Sequence, residues 1–323
     1  MRKVLFMRKY ITGINSIEEL AQSLITSIPD LELVEMPETG DSLVAMVRNI
    51  KHARKYSGDV NHIFSPSISY IVPFLKGRTI ITWHDTQTMY LGNNPFKRFL
   101  KRIQRIYFPV TFVSRITCIS QHTLDELSSI DQRVLKKSKV VPNSYNSNIS
   151  YKPKDFNVES PIILHIGTGE RKNLLRVIQA LEGVRCHLWI VGQLDSECLS
   201  ALQRFSVDYT QEYNVPFSRI IELYQICDIV SFPSLYEGFG MPIIEAQATG
   251  RPVISSRRGA IPEIAGDSVC YVDPESVLSI REGFLDVIND LSYRESLIKL
   301  GLKNAERYSS EQMIEAYRKV YSD

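Results

Sequence analysis

The sequence predicts an α/β protein made of two doubly wound domains, each a parallel sheet wrapped by helices. Three observations carry this. Short β-prone runs alternate with helix-like segments from residue 4 to residue 83. A stretch rich in Asn, Ser, Pro and charge, without apolar periodicity, follows over 143–160, and a second alternation begins at Pro161. That rhythm favours parallel pairing, because each strand is separated from the next by a crossover. At 323 residues and 44% hydrophobic content the chain can fill two cores.

Residues 4–7 read as the first strand, followed by a loop at Gly13 and a helix from about Ile17. Ser16 and Glu19 stand there in capping-box spacing. Strand-like and helix-like pieces alternate at 31–34, 43–56, 62–64 and 79–83. Residues 118–120 precede a further helix. In the second half, strands are expected at 161–166, 187–191 and 229–232, Ser218 suits a helix N-cap, and helices follow Val277. The expected division is a first domain over 1–148, a linker over 149–160, a second domain over 161–305 and a closing helical segment over 306–323.

A formal charge of +2 does not call for a nucleic-acid partner. Cys118, Cys186, Cys198, Cys227 and Cys270 are scattered, odd in number and without metal-ligand spacing, which points to buried thiols in a reducing, cytosolic compartment. The first eight residues have too short an apolar core for a signal peptide. No segment reaches the roughly 18 apolar residues of a membrane span. The expectation is a cytoplasmic protein, at most peripheral on the inner face of the membrane.

The most informative string is Pro233-Ser234-Leu235-Tyr236-Glu237-Gly238-Phe239-Gly240-Met241-Pro242-Ile243-Ile244-Glu245-Ala246. It sets two carboxylates on either side of a glycine turn that opens a helix. Pro242 suits the first helical position and Gly250 the helix end. Free N–H groups at such a start favour a phosphate, and carboxylates suit sugar hydroxyls because they accept several hydrogen bonds. Taken singly, Glu245 would also serve to complement the helix dipole, and the glycines to make a turn.

The whole string closely resembles the Glu-x7-Glu signature of retaining GT-B glycosyltransferases, the family-4-like enzymes also known as glycosyl transferases group 1. These move sugars from nucleotide-diphosphate donors. The match continues through Gly250-Arg251-Pro252-Val253-Ile254 and Ile261-Pro262-Glu263-Ile264-Ala265-Gly266. The resemblance implies two Rossmann-like domains facing across a cleft, with the last helix crossing back to the first. It also implies that Glu237 touches the donor sugar and Glu245 the ribose, with Gly238, Phe239, Gly240 and Met241 lining the donor site.

Ile162–Ile166 followed by Gly167-Thr168-Gly169-Glu170-Arg171-Lys172-Asn173 reads as a strand, a glycine loop and a helix start. A nicotinamide-binding fingerprint is incomplete here, since Lys172 occupies the third glycine position and no persuasive acidic residue closes a second strand about twenty residues on. Gly167 lets the backbone approach a ligand, and Arg171 and Lys172 can bring positive charge to it. The family resemblance assigns Lys172 to the donor diphosphate. Thr168 stands where many relatives carry arginine, so the second positive charge falls to Arg171.

His84 and Asp85 end an apolar strand at its carboxyl end. They resemble the family's His-Asp pair beside the transferred sugar, and Gly13 resembles its first-domain phosphate loop. Residues 96–107 place Phe96, Phe99, Leu100, Ile103, Ile106 and Tyr107 on one helical face and Lys97, Arg98, Lys101, Arg102 and Arg105 largely on the other. That pattern suits a core-facing helix with a solvated basic side; its functional reading is a helix that meets anionic lipid headgroups, or equally one whose basic charge sits over an acceptor pyrophosphate.

The resulting expectation is transfer of a hexose, mannose-type, from a nucleotide-diphosphate sugar to a growing lipid-linked glycan of a bacterial surface polysaccharide. Retention at the anomeric carbon is implied by the resemblance. No Asp-x-Asp triplet occurs, so neither a metal nor a cofactor is expected, and the nucleotide sugar is the donor substrate. A nucleotide-sugar epimerase of the same architecture and a silent nucleotide-sugar-binding subunit are the alternatives.

Overall fold

Strand β1 (Lys3–Met7) shows how the first sheet is assembled. Val4 and Phe6 enter one apolar cluster while Leu5 and Met7 enter another, as the two-residue period of a strand requires. Both faces are covered, so the strand reads as a continuous apolar run rather than an alternating one. The computed structural model describes residues 1–9, 16–40, 42–86 and 95–322. It divides into two compact units, Met1–Asn143 with Ser310–Asp323, and Ser144–Ser309.

The first unit contains β1, β2 (Leu31–Glu35), β3 (Val60–Ile63), β4 (Arg78–Trp83), β5 (Arg115–Cys118) and β6 (Ser138–Val140), in the spatial order β2-β1-β3-β4-β5-β6. Every pairing is parallel. Helices α1 (Ser16–Ser27), α2 (Leu43–Tyr56), α3 (Pro95–Arg102), α4 (Phe108–Phe112) and α5 (Gln121–Ile130) belong to it.

The second unit carries β7 (Ile162–Ile166), β8 (His187–Val191), β9 (Tyr209–Glu212), β10 (Ile229–Phe232), β11 (Val253–Ser256) and β12 (Cys270–Val272), ordered β12-β11-β10-β7-β8-β9 and again parallel. Its helices are α6 (Leu174–Ala180), α7 (Ser196–Arg204), α8 (Phe217–Ile226), α9 (Met241–Thr249), α10 (Ile261–Ala265), α11 (Val277–Asn289) and α12 (Leu291–Ala305). Pro216, not Ser218, occupies the N-cap of α8.

The last helix, α13 (Ser310–Ser322), packs in the first unit. Met313, Ile314, Tyr317, Val320 and Tyr321 fall on one helical stripe and join the cluster of Leu5 and Met7. A buried polar seam fixes its register. His62 Nδ1 lies 2.7 Å from the Tyr321 hydroxyl and its Nε2 2.6 Å from Thr82 Oγ1, which is 3.1 Å from the Tyr317 hydroxyl.

Residues 149–160 do not stand apart as a linker but belong to the second unit. Their polar groups are used to satisfy a buried carboxylate. Asp228 pairs with Lys154 and accepts from the Asn157 N–H at 3.1 Å, and from the Ile162 N–H at 2.8 Å.

The segment 96–107 also differs from the expectation of one continuous helix. After α3 the chain makes a π turn over Ile103–Tyr107. The extra residue in such a turn rotates the downstream side chains about the axis relative to those upstream. Phe96, Phe99, Leu100 and Ile103 are therefore exposed, whereas Ile106 is buried and takes Arg105 with it. Of that apolar face Ile106 enters the core while Phe96, Phe99, Leu100 and Ile103 do not, and Arg105 is not part of a solvated basic side.

The five cysteines are buried and unpaired. Among the described residues no helix is long and apolar enough to cross a membrane.

Candidate functional site

The second sheet reverses its strand order at β7. From there the chain runs outward to β8 and β9, then returns to β10 on the other side of β7. Loops after β7 and β10 thus leave neighbouring strand ends in opposite directions, which is where open α/β sheets take ligands. The register sets His165 beside Ser231, so two sequence motifs some 65 residues apart meet here.

The loop after β7 is shaped around Lys172. Gly167 has φ of +94°, and a Cβ on it would sit 3.1 Å from Lys172 Cγ, so glycine leaves room for the lysine stem. Arg171 and Lys172 lie in a 3-10 turn, Glu170–Lys172, ahead of α6 rather than at a helix start. Asn173 follows with φ of 65° and donates its amide to the carbonyls of Pro233 at 3.1 Å and Pro274 at 2.7 Å. The Leu235 N–H donates to the Arg171 carbonyl at 2.8 Å. These bonds tie the basic loop to the acidic one.

In the loop after β10, Glu237 is only 6% exposed. Its Oε1 accepts from Lys172 Nζ at 2.6 Å, and its Oε2 pairs with Arg171 Nη1 at 2.7 Å. Lys172 Nζ also sits 4.4 Å from the centre of the Phe232 ring, a cation–π contact. Burial holds the Lys172 pKa below the usual lysine value, while Glu237 and, to a lesser extent, Glu245 oppose that shift. Gly259 backs the carboxylate loop. A Cβ there would come within 2.2 Å of the Glu237 carbonyl oxygen, which accepts from the Ala260 N–H at 2.9 Å.

Gly238 and Gly240 are buried, and Gly240 caps α9 with φ of +109°. The Phe239 side chain is buried, edge-on to Tyr308 with ring centres 5.7 Å apart. Met241 is the first residue of α9 and partly exposed, so Pro242 is the second helical residue. Glu245 is therefore in the second turn, not the first, and at 5% exposure its Oε2 accepts from the Tyr224 hydroxyl at 2.7 Å. Burial, then the Glu245 charge, pushes the Tyr224 phenol far above its usual range.

Tyr224 is the residue that sequence reading missed. It occupies an apolar stripe position on α8, and nothing in the sequence links it to a carboxylate 21 residues away on another helix.

His84 directly follows β4 in the first unit. It is 8% exposed, with Nε2 2.9 Å from the Phe64 carbonyl, so that nitrogen carries the proton. Nδ1 is buried and has no hydrogen-bond partner among the described residues. Burial pushes its pKa down to about 4, so the ring is neutral at pH 7. Asp85 is partly exposed. Gly13 lies outside the described residues. No group of three or more metal-ligating side chains occurs among the described residues.

Residues 147–304 match the family model of glycosyl transferases group 1. That stretch, just under half of the chain, is a group 1 glycosyltransferase domain. Over 99% of its length, this glycosyltransferase is 23% identical to an uncharacterized glycosyltransferase of Methanocaldococcus jannaschii, covering 98% of that protein. It is 38% identical to the O-antigen chain mannosyltransferase B of Escherichia coli over 48% of this chain and 45% of that one. Among solved structures, Anabaena HepE in complex with UDP and glucose superposes with a TM-score of 0.83 at 15% identity, covering 100% of both chains. The fold is that of the GT-B glycosyltransferases.

Proposed function

We propose that this glycosyltransferase moves a mannose-type hexose from a nucleotide-diphosphate sugar to a growing, lipid-linked surface glycan, with retention at the anomeric carbon. One observation carries the reading. A buried lysine and an arginine converge on Glu237 beside the start of α9, with Glu245 held by Tyr224 one turn further on. Lys172, Arg171 and the α9 start would take the diphosphate, Glu237 the sugar and Glu245 the ribose. Partial identity to an O-antigen mannosyltransferase supports the sugar and the pathway class.

Charge grows on the diphosphate as the glycosidic bond breaks, and preorganised donors aimed at it contribute about 3 kcal/mol each. No residue serves as a covalent nucleophile in this scheme. The acceptor attacks from the face the diphosphate leaves, and a departing phosphate oxygen takes its proton. Metal is not required, because the two side-chain cations meet the leaving charge.

The first unit would bind the acceptor, with His84 as one of its contacts. Exposed Phe96, Phe99, Leu100, Ile103, Phe108 and Phe112 lie in one run of chain with Arg98, Lys101 and Arg102. That run suits peripheral contact with an anionic cytoplasmic membrane face, where a lipid-linked acceptor would be presented.

The test is incubation with a panel of nucleotide sugars and lipid-linked acceptors, with the product anomer read by NMR. Retained configuration in a transferred hexose is expected. An inverted product would overturn the mechanism, and donor turnover without acceptor would identify an epimerase.

A further inference from the structure

Both oxygens of the Glu237 carboxylate are engaged by cations, Oε1 by Lys172 at 2.6 Å and Oε2 by Arg171 at 2.7 Å. The three side chains differ in freedom. The Arg171 side chain is 40% exposed, that of Lys172 15% and that of Glu237 8%. The Lys172 ammonium is held over Phe232 and its stem against Gly167, so it cannot follow its partner elsewhere. A cation fixed in so dry a place needs an anion beside it at all times. The Glu237 backbone is equally pinned, by Ala260 and by the close approach of Gly259. Its carboxylate is what remains free to turn.

A diphosphate entering beside Lys172 and Arg171 brings two or more negative charges against this carboxylate. Like charges that share a site repel by more than the cations can screen when water is excluded. We propose that Glu237 is a built-in stand-in for the donor diphosphate. Arriving diphosphate displaces it from Lys172 and Arg171, and the released carboxylate turns to the hydroxyls of the sugar. This rests on the reading that these two cations bind the diphosphate, and it deepens that reading. Sugar recognition becomes conditional on the diphosphate, because Glu237 stays locked to its cations until another anion replaces it. A free hexose does not unlock the site.

Inorganic pyrophosphate isolates the charge exchange, since it has neither sugar nor base. Calorimetric titration of the full chain should show Glu237→Gln binding pyrophosphate roughly tenfold more tightly than the unaltered protein, within the range of close charge pairs. Glu237→Asp keeps the charge but shortens its reach, and should shift affinity in the same direction. It covers the case in which Gln leaves Lys172 uncompensated and the fold is lost. Arg171→Gln should cost more affinity in the Glu237→Gln background than alone, because the carboxylate no longer neutralises the arginine. Unchanged or weaker pyrophosphate binding by both Glu237 variants, with melting curves showing an intact fold, overturns the exchange. If Lys172→Ala and Arg171→Gln leave pyrophosphate affinity unmoved in every background, the phosphate grip itself is wrong and the exchange falls with it.

Discussion

Lys172 Nζ and Glu237 Oε1 lie 2.6 Å apart although 65 residues separate them in sequence. Adjacency of β7 and β10 makes that contact, since each residue sits in the loop leaving one of two neighbouring parallel strands. The contact joins the two motifs into one site, and it sets what each substitution there should do.

Lys172→Ala should lower turnover at saturating donor by about a hundredfold or more, as losing one preorganised donor does. The ammonium meets the charge the bound diphosphate already carries and the further charge that grows as the glycosidic bond breaks, so the loss should appear in kcat as well as in donor KM. Steady-state release of nucleoside diphosphate measures it. A raised KM with unchanged kcat would show that Lys172 only binds the ground state.

Tyr224→Phe should weaken nucleoside-diphosphate binding by roughly three- to tenfold, the worth of one ordinary hydrogen bond, because the tyrosine acts on the nucleotide only through Glu245. Tyr224 acts by positioning Glu245, so kcat should hold while donor KM rises. Glu245→Gln should have the larger effect on the same affinity. Calorimetry on the two variants decides, and a Tyr224→Phe protein with full nucleotide affinity removes the tyrosine from the site.

The motifs around Lys172, Glu237 and Glu245 were legible because each is a local string of glycine, charge and strand end. The features that escaped the sequence depend on contacts between elements. β9, Tyr-Thr-Gln-Glu, is an edge strand with no residue fully buried, so it carries no apolar signal to read. The π turn at Ile103–Tyr107 has a helical sequence, and only packing reveals the extra residue that turns Phe99 and Leu100 outward. The same holds for residues 149–160, whose polar composition serves Asp228 rather than a free linker.

The first unit should lose stability in mild acid. Burial pushes the pKa of His62 down to about 3 and that of His84 to about 4. Their neutral forms stabilise the fold fully above the unfolded value near 6.5, and the contribution falls as pH drops below it, because only the unfolded chain takes the protons. The slope approaches about 1.4 kcal/mol per pH unit for each histidine. Urea melts at pH 7, 6 and 5, followed by Trp83 fluorescence in a Trp189→Phe background, measure it. His62→Gln should remove about one proton from the slope, and an unchanged slope would show that His62 does not refuse its proton in the fold.

Transfer should survive excess chelator. Lys172 and Arg171 supply the positive charge at the proposed diphosphate site, leaving a divalent ion no necessary part. Activity assayed with and without EDTA, then with added magnesium or manganese, tests this. Complete loss restored by the metal would refute the two-cation scheme.

The exposed run from Phe96 to Ile103 makes the last prediction. Large apolar side chains in water beside Arg98, Lys101 and Arg102 suit a headgroup boundary, where rings insert and cations meet lipid phosphates. The chain should sediment with anionic vesicles at low salt, and binding should fall as salt rises because exposed charges are screened. Replacing Phe96, Phe99, Leu100 and Ile103 by Ser should abolish sedimentation. These side chains face solvent, so the melting temperature should stay within the small range of surface substitutions. Replacing Arg98, Lys101 and Arg102 by Ser should instead remove the salt dependence, while Arg105→Ser should destabilise the fold, because that arginine is buried. A parent protein that ignores anionic vesicles at every salt concentration, or a four-Ser variant that still binds them, assigns the run some other role.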